Sequence, residues 1–269
     1  MKNPLTSVKM YRFCVKHPTR AFVLLSIGMT LVYTVALMCI HSPIWLIVLW
    51  DALFIILNFA YVKAADDALV RLTIKPMHEQ CDPDPFLGMT EELLTYKATP
   101  MQKQARMINY CVALQSVGEY QKAYDLLSQV NIDKNAGTPS EFKLVYYHNL
   151  GSLCENLDKL EQAKIWYEKA VQIHEGIAYP KVKEYHAPAT CSAKAELAFL
   201  AGEYHDCIKL LQEPSPTAYG RVYRKLTIAR ALIALGEVAE AKNKLNEVIN
   251  EGNKLYCVTE ARELLNTLE

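Results

Sequence analysis

"LVYYHNLGSLCENLDKLEQAKIWYEKAVQI", residues 144–173, is the stretch that decides the fold. Its apolar and small residues recur at three- and four-residue steps, the spacing of a helix face. Tyr147, Leu150, Gly151 and Cys154 share one face. After a turn at Asp158, Leu160, Ala163, Tyr167 and Ala170 share another. The stretch therefore predicts two short helices packed on each other. Gly151 and Ala163 are small where the helices approach, and larger residues fill the space beside them.

Three other stretches repeat the layout. "ARMINYCVALQSVGEYQKAYDLLSQV" supplies Gly118, Tyr120, Ala123 and Leu127. "CSAKAELAFLAGEYHDCIKLLQEP" supplies Gly202, Tyr204, Cys207 and Leu211, and "RKLTIARALIALGEVAEAKNKLNEVI" supplies Gly236, Val238, Ala241 and Leu245. The turn positions Gly118, Asp158, Gly202 and Gly236 are 40, 44 and 34 residues apart.

This pattern resembles the tetratricopeptide repeat, through the "NLG" of 149–151, the small Ala163, the aromatic Tyr167 and Ala170. The family period is about 34 residues, so the first two intervals carry insertions, which fit "DKNAGTPSEF" and "GIAYPKVKEYHAPAT". In the first, Thr138, Pro139 and Glu141 read as a capping-box helix start. The third copy departs most, with Cys207 where alanine is usual and no aromatic at Leu211. The resemblance covers roughly 101–269 and implies an all-α solenoid of about four helix pairs. "GNKLYCVTEARELLNTLE" (252–269) would be a last amphipathic helix capping it. Cys111, Cys154 and Cys207 fall at small packing positions, where cysteine acts as an apolar filler.

In that family the first helix of each pair lines an inner surface that binds peptides or protein segments. Carried over, that groove includes Asn109, Val112 and Ser116, then His148, Asn149, Ser152 and Asn156. Next come Ala193, Glu196 and Phe199, then Tyr223, Thr227 and Arg230. Asn109 and Asn149 match asparagines of the subgroup that clamps acidic tails, and their amides can bond an extended backbone. Ala105 and Ala193 stand where its basic residues belong, which argues against an acidic-tail ligand.

The amino-terminal third reads differently. Residues 1–20 carry Lys2, Lys9, Arg12, Lys16 and Arg20 and no acid, and residues 21–62 hold one charge, Asp51. Of 29 basic and 29 acidic residues in the whole chain, 24 and 28 remain for 63–269. A basic head, an uncharged band and a near-balanced body are the pattern of a membrane anchor with a soluble domain. No basic stripe points to nucleic acid.

Residues 21–40 are free of charge, long enough at about 1.5 Å per residue to cross roughly 30 Å of hydrocarbon. After "HSP" a second apolar run reaches Val62. Three residues only turn the chain back, so 21–40 and 44–62 read as a transmembrane helical hairpin. No A-x-A site follows the first run, which argues against a signal peptide. Basic residues flank both outer ends and none lies in the turn. Both termini and the repeats are therefore expected on the cytoplasmic side of the cell membrane.

Asp51 interrupts the second run. Twelve Leu, Ile, Val or Phe residues in 44–62 each favour insertion by about 0.3–0.6 kcal/mol, and a central Asp costs about 3. A hairpin folded about Ser42 sets Asp51 opposite Tyr33 and Asn58 opposite Ser26, with Thr30 on the same face. A polar seam of these five residues is expected, with Asp51 accepting from Tyr33 or Thr34. The sharper reading is a partner or proton site within the membrane.

Between the halves, the second membrane helix is expected to continue up to Pro76. Pro76, Pro83, Pro85 and Gly88 then mark a linker in 63–100, with a short helix at 85–97. The division expected is 1–20 basic segment, 21–62 hairpin, 63–100 linker and 101–269 repeats.

No phosphate loop, dinucleotide fingerprint, nucleophile elbow or zinc-protease motif occurs. The eight cysteines form neither CxxC nor zinc spacing and suit a reducing compartment. No catalytic residue, metal or cofactor is expected. The functional expectation is a scaffold that binds protein or peptide partners at the cytoplasmic face. The alternative is an accessory subunit of an integral transport or secretion assembly, contacted through the hairpin.

Overall fold

The computed structural model describes residues 4–40, 44–134, 137–213 and 215–268. Among these every regular element is helical. The chain divides into two compact units, 1–73 and 74–269.

In the first unit, α1 (Pro4–Lys16) is followed by α2 (Pro18–Ile40). α3 (Ile44–Gln80) begins here and runs on into the second unit. The expected turn at His41–Pro43 lies outside the described residues. Over Pro18–Ala36, α2 is long and apolar enough to cross a membrane, and only 6% of that segment is buried. A second span results only if Val48–Tyr61 and Ala64–Gln80 count as one broken span. α2 and α3 meet through aromatic side chains. Tyr33 lies 5.9 Å from Trp50 and 5.3 Å from Phe54 between ring centroids, and Phe22 meets Phe59 edge-on at 6.3 Å.

α3 passes through Pro76, where the sequence pointed to a stop. Proline there removes one backbone bond, and the following turn is held because Met77 and Cys81 are buried. α4 (Asp84–Leu94) is the short linker helix. It ends three residues before the expected 97, where Thr95 Oγ1 donates back to the Glu92 carbonyl.

The repeats follow as α5 (Pro100–Ser116) with α6 (Tyr120–Leu127), and α7 (Ser140–Asn156) with α8 (Leu160–Glu175). Then come α9 (Pro180–Leu200) with α10 (Tyr204–Leu211), and α11 (Ala218–Ala234) with α12 (Val238–Glu251). α13 (Cys257–Thr267) is last. A capping box starts α5: Gln102 N–H donates to Thr99 Oγ1 at 3.3 Å, and Thr99 N–H to Gln102 Oε1 at 3.0 Å. The box expected at 138–141 does not form. α7 starts after Pro139 with no side-chain cap.

Each helix pair turns at the position the sequence marks. Gly118, Gly202 and Gly236 have φ of 84°, 80° and 78°, and Asp158 takes the same left-handed region at 56°. Successive helices are neighbours, and the first helices α5, α7, α9 and α11 also pack side by side. In the α7–α8 pair Tyr167 is buried against Gly151. A Cβ on Gly151 would sit 2.6 Å from that ring. Cys111, Cys154 and Cys207 are fully buried with Ala123, Ala163, Leu127 and Leu153. Burial pushes the Cys111 and Cys207 thiols up to about 12, which makes them packing groups rather than nucleophiles.

Candidate functional site

The first helices carry the residues expected to line the inner surface. Asn109, Val112, His148, Asn149, Ser152, Asn156, Glu196, Phe199, Tyr223 and Arg230 are all half-buried, and Ser116, Ala193 and Thr227 are buried. Several of the amides and hydroxyls are turned inward. Asn149 donates to the Val145 carbonyl and Asn156 to the Ser152 carbonyl, both at 2.7 Å. Ser116 donates to the Val112 carbonyl, and Gln115 to Ser152.

A charged network crosses the middle of this surface. Arg230 on α11 donates to Glu155 on α7 at 3.0 Å. The other oxygen of Glu155 accepts from Tyr167 on α8 at 2.9 Å. Glu196 on α9 accepts from Thr227 on α11 at 2.9 Å through Oε1, while its buried Oε2 has no partner among the described residues. The Arg230 guanidinium also lies over the Phe199 ring, 5.4 Å from its centroid. Burial, reinforced by the Glu155 charge, pushes the Glu196 carboxyl up to about 8. Burial pulls His148 down to about 4.

The last helix returns to the first repeat. Tyr256 N–H donates to the Ser116 carbonyl at 3.0 Å. The Tyr256 ring covers Gly118, where any Cβ would overlap it, and meets the Tyr120 ring edge-on at 5.6 Å. Tyr120 donates to Glu260 at 2.7 Å. Just before α13, Lys254 pairs with Asp82 at 3.1 Å and Asp84 at 2.7 Å, and its N–H bonds the Cys81 carbonyl. α13 thus does more than cover the final repeat.

Sequence reasoning missed Glu155, Tyr256 and Glu260, and it read Tyr120 only as a repeat position. Glu155 lies one helical turn beyond Ser152 and carried a face signal. The other three depend on how the stack curves, which single repeats do not state.

In the first unit, Asp51 and Asn58 lie on α3 and Ser26, Thr30 and Tyr33 on α2. Ser26 Oγ, Asp51 Oδ1 and Asn58 Nδ2 are buried without hydrogen-bond partners among the described residues. That Asp51 oxygen accepts from neither Tyr33 nor Thr34. Tyr33 instead sits between Trp50 and Phe54. Among the described residues no group of three or more His, Cys, Asp or Glu is placed to hold a metal.

Paired helices with left-handed turns, stacked so that their first helices share one face, define an α-helical repeat protein. Residues 144–175 match the Tetratricopeptide repeat family, which relates the chain to those repeats through its second helix pair. No curated protein matches the chain. No solved structure matches it either. The repeat points to a protein-interaction scaffold, a class in which catalysis is not the general role.

Proposed function

We propose that the protein is a membrane-anchored scaffold whose repeats bind protein or peptide partners at the cytoplasmic face. The observation that carries the reading is the matched repeat at 144–175, joined to an apolar helix whose side chains are left exposed. The division into a basic segment, a hairpin over 21–62, a linker and repeats over 101–269 belongs to this proposal. So does the polar seam of Asp51, Asn58, Ser26, Thr30 and Tyr33. The inner-surface residues from Asn109 to Arg230 are the proposed partner groove. Tethering raises the local concentration of any partner at the bilayer.

Carbonate extraction of native membranes, with protease added outside intact cells, tests the anchoring. The full chain should stay in the pellet and its repeats should survive the protease. Release by carbonate, or digestion of the repeats from outside, would overturn it.

A second reading has its own observation. Three buried polar atoms without partners among the described residues are costly in apolar helices within a bilayer, and a partner's helix would satisfy them. In that reading the chain is an accessory subunit of an integral assembly. Asp51→Leu separates the two. Crosslinked partners retained at unchanged protein level support the scaffold reading. Partners lost at unchanged level support the accessory-subunit reading.

A further inference from the structure

The contact between α13 and the first repeat is made of few groups, all at one place. Gly118 supplies a notch without a Cβ, the Ser116 carbonyl accepts one backbone bond, and the Tyr120 hydroxyl offers one donor. Tyr256 and Glu260, one helical turn apart, fill these three positions. The remaining ties to this end of the chain are polar: Lys254 to Asp82 and Asp84, the Lys254 N–H to the Cys81 carbonyl, and Asn253 to the Gln80 carbonyl. Exposed ion pairs contribute little. By contrast α13 is bound to its own repeat through apolar packing. Leu255, Val258 and Ala261 are buried, and Val258 packs so closely on Gly252 that a Cβ there would lie 2.5 Å from it. A small polar seam closing distant parts of a chain belongs to the low-stability end of local opening.

This end of the chain also meets one of the expected inner-surface residues directly, since Tyr256 N–H donates to the Ser116 carbonyl. Cys257 and Glu260 lie within electrostatic reach of Tyr223, and Glu260 within reach of Arg230. Cys81 and Cys257, on the two sides of the seam, are both fully buried.

We infer that Tyr256 and Glu260 form an autoinhibitory latch. The seat made by Ser116, Gly118 and Tyr120 accepts a helical segment that presents an aromatic ring and a carboxylate four residues later. The chain's own last helix holds this seat, and a partner segment of the same chemistry displaces it and uncovers the inner surface. The inference rests on that surface being the partner groove.

Thiol labelling of the full chain tests the latch without any partner protein. A maleimide is added to the solubilised chain and each cysteine is read by mass spectrometry. In Tyr256→Ala/Glu260→Gln, Cys81 and Cys257 should label about tenfold faster, the loss expected when a ring contact and a charge-assisted bond are removed from a local opening. Cys111, Cys154 and Cys207 should keep their rates. Unchanged labelling at Cys81 and Cys257 overturns the latch. So does acceleration of all five together, because the seam is then part of the folding core. Tyr120→Phe, which removes only the hydroxyl, should give a smaller increase at the same two thiols.

A synthetic peptide of residues 252–267, with serine replacing its cysteine, tests the seat. It should bind the double variant more tightly than the parent and restore protection of Cys81. The same peptide with alanine in place of its tyrosine should not. Equal binding to parent and variant, or no binding, overturns the exchangeable seat. These readouts stand apart from carbonate extraction and crosslinking, so failure of the latch is distinguishable from failure of the scaffold reading.

Discussion

Arg230 reaches back 75 residues to Glu155 and donates to it at 3.0 Å, tying the first helix of the last repeat to that of the second. Only 5% of the Glu155 side chain is exposed, against 35% of Arg230. A nearly dry carboxylate is thus held by one partly wet guanidinium and the Tyr167 hydroxyl. The pair forms only while α7, α9 and α11 stay adjacent.

Removing one partner should cost more than removing both. Arg230→Met leaves Glu155 buried with only Tyr167. The expected loss is about 2–3 kcal/mol, below the roughly 3–5 of a fully buried pair because Arg230 is partly exposed. Glu155→Gln/Arg230→Met should recover at least half of that. Urea unfolding followed by far-ultraviolet circular dichroism reads both. A double variant weaker than the single one would contradict this account.

The turns make a second test. A Cβ added at Gly202 or Gly236 would meet nothing within 4 Å, so their alanine variants report backbone strain alone. Each should cost about 1–2 kcal/mol. Asp158→Gly should act in the opposite sense, gaining about 0.5–1 kcal/mol, since an L side chain leaves the left-handed region. Gly118→Ala should exceed its two counterparts, because it meets the Tyr256 ring as well. Chemical denaturation of the four variants under one condition checks the order.

Gly151→Ala reverses an ordinary rule. Alanine within a helix normally gains about 0.5–1 kcal/mol over glycine. Here the new Cβ would lie 2.6 Å from the ring of the buried Tyr167, which has no room to retreat. The expected result is a net loss of about 1–3 kcal/mol, from overpacking. Gly151→Ala/Tyr167→Leu should remove the clash and behave no worse than Tyr167→Leu alone.

The helix pairs were legible because each one needs a left-handed residue at its turn and small residues where its axes meet. Gly118, Asp158, Gly202 and Gly236 satisfy the first demand, and Gly151, Ala163 and Cys207 the second. Both demands are local, so they are written within about 35 residues of sequence. The Glu155–Arg230 pair and the Tyr256 seat are not local. They follow from the accumulated rotation of the stack, and each partner alone reads as an ordinary helix residue. The continuation of α3 through Pro76 was hidden for a related reason. Burial of Met77 and Cys81 outweighed the breaker.

The titrations of Glu196 and His148 oppose each other. Glu196 is faced by Glu155 on α7 and by Thr227 and Arg230 on α11. Its folded value of about 8 lies above the unfolded glutamate value, so the folded state binds the extra proton between about pH 4.5 and 8. Stability from this group is therefore full below that window and falls as pH rises through it. His148 behaves conversely. Its folded value of about 4 lies below the unfolded value near 6.5, so its contribution is full above pH 6.5 and is lost as pH falls towards 4. From about 4.5 to 6.5 the two slopes nearly cancel, and from about 6.5 to 8 Glu196 acts alone of the pair. Unfolding free energy should thus decline between about pH 6.5 and 8, by about 1–2 kcal/mol. Glu196→Gln should flatten that decline and uncover the His148 slope, so that stability rises from about pH 4.5 to 6.5 where the parent is nearly flat, because glutamine keeps the bond to Thr227 without titrating. A parent profile that rises over that range, or a decline that persists in Glu196→Gln, would contradict the assignment of the decline to Glu196.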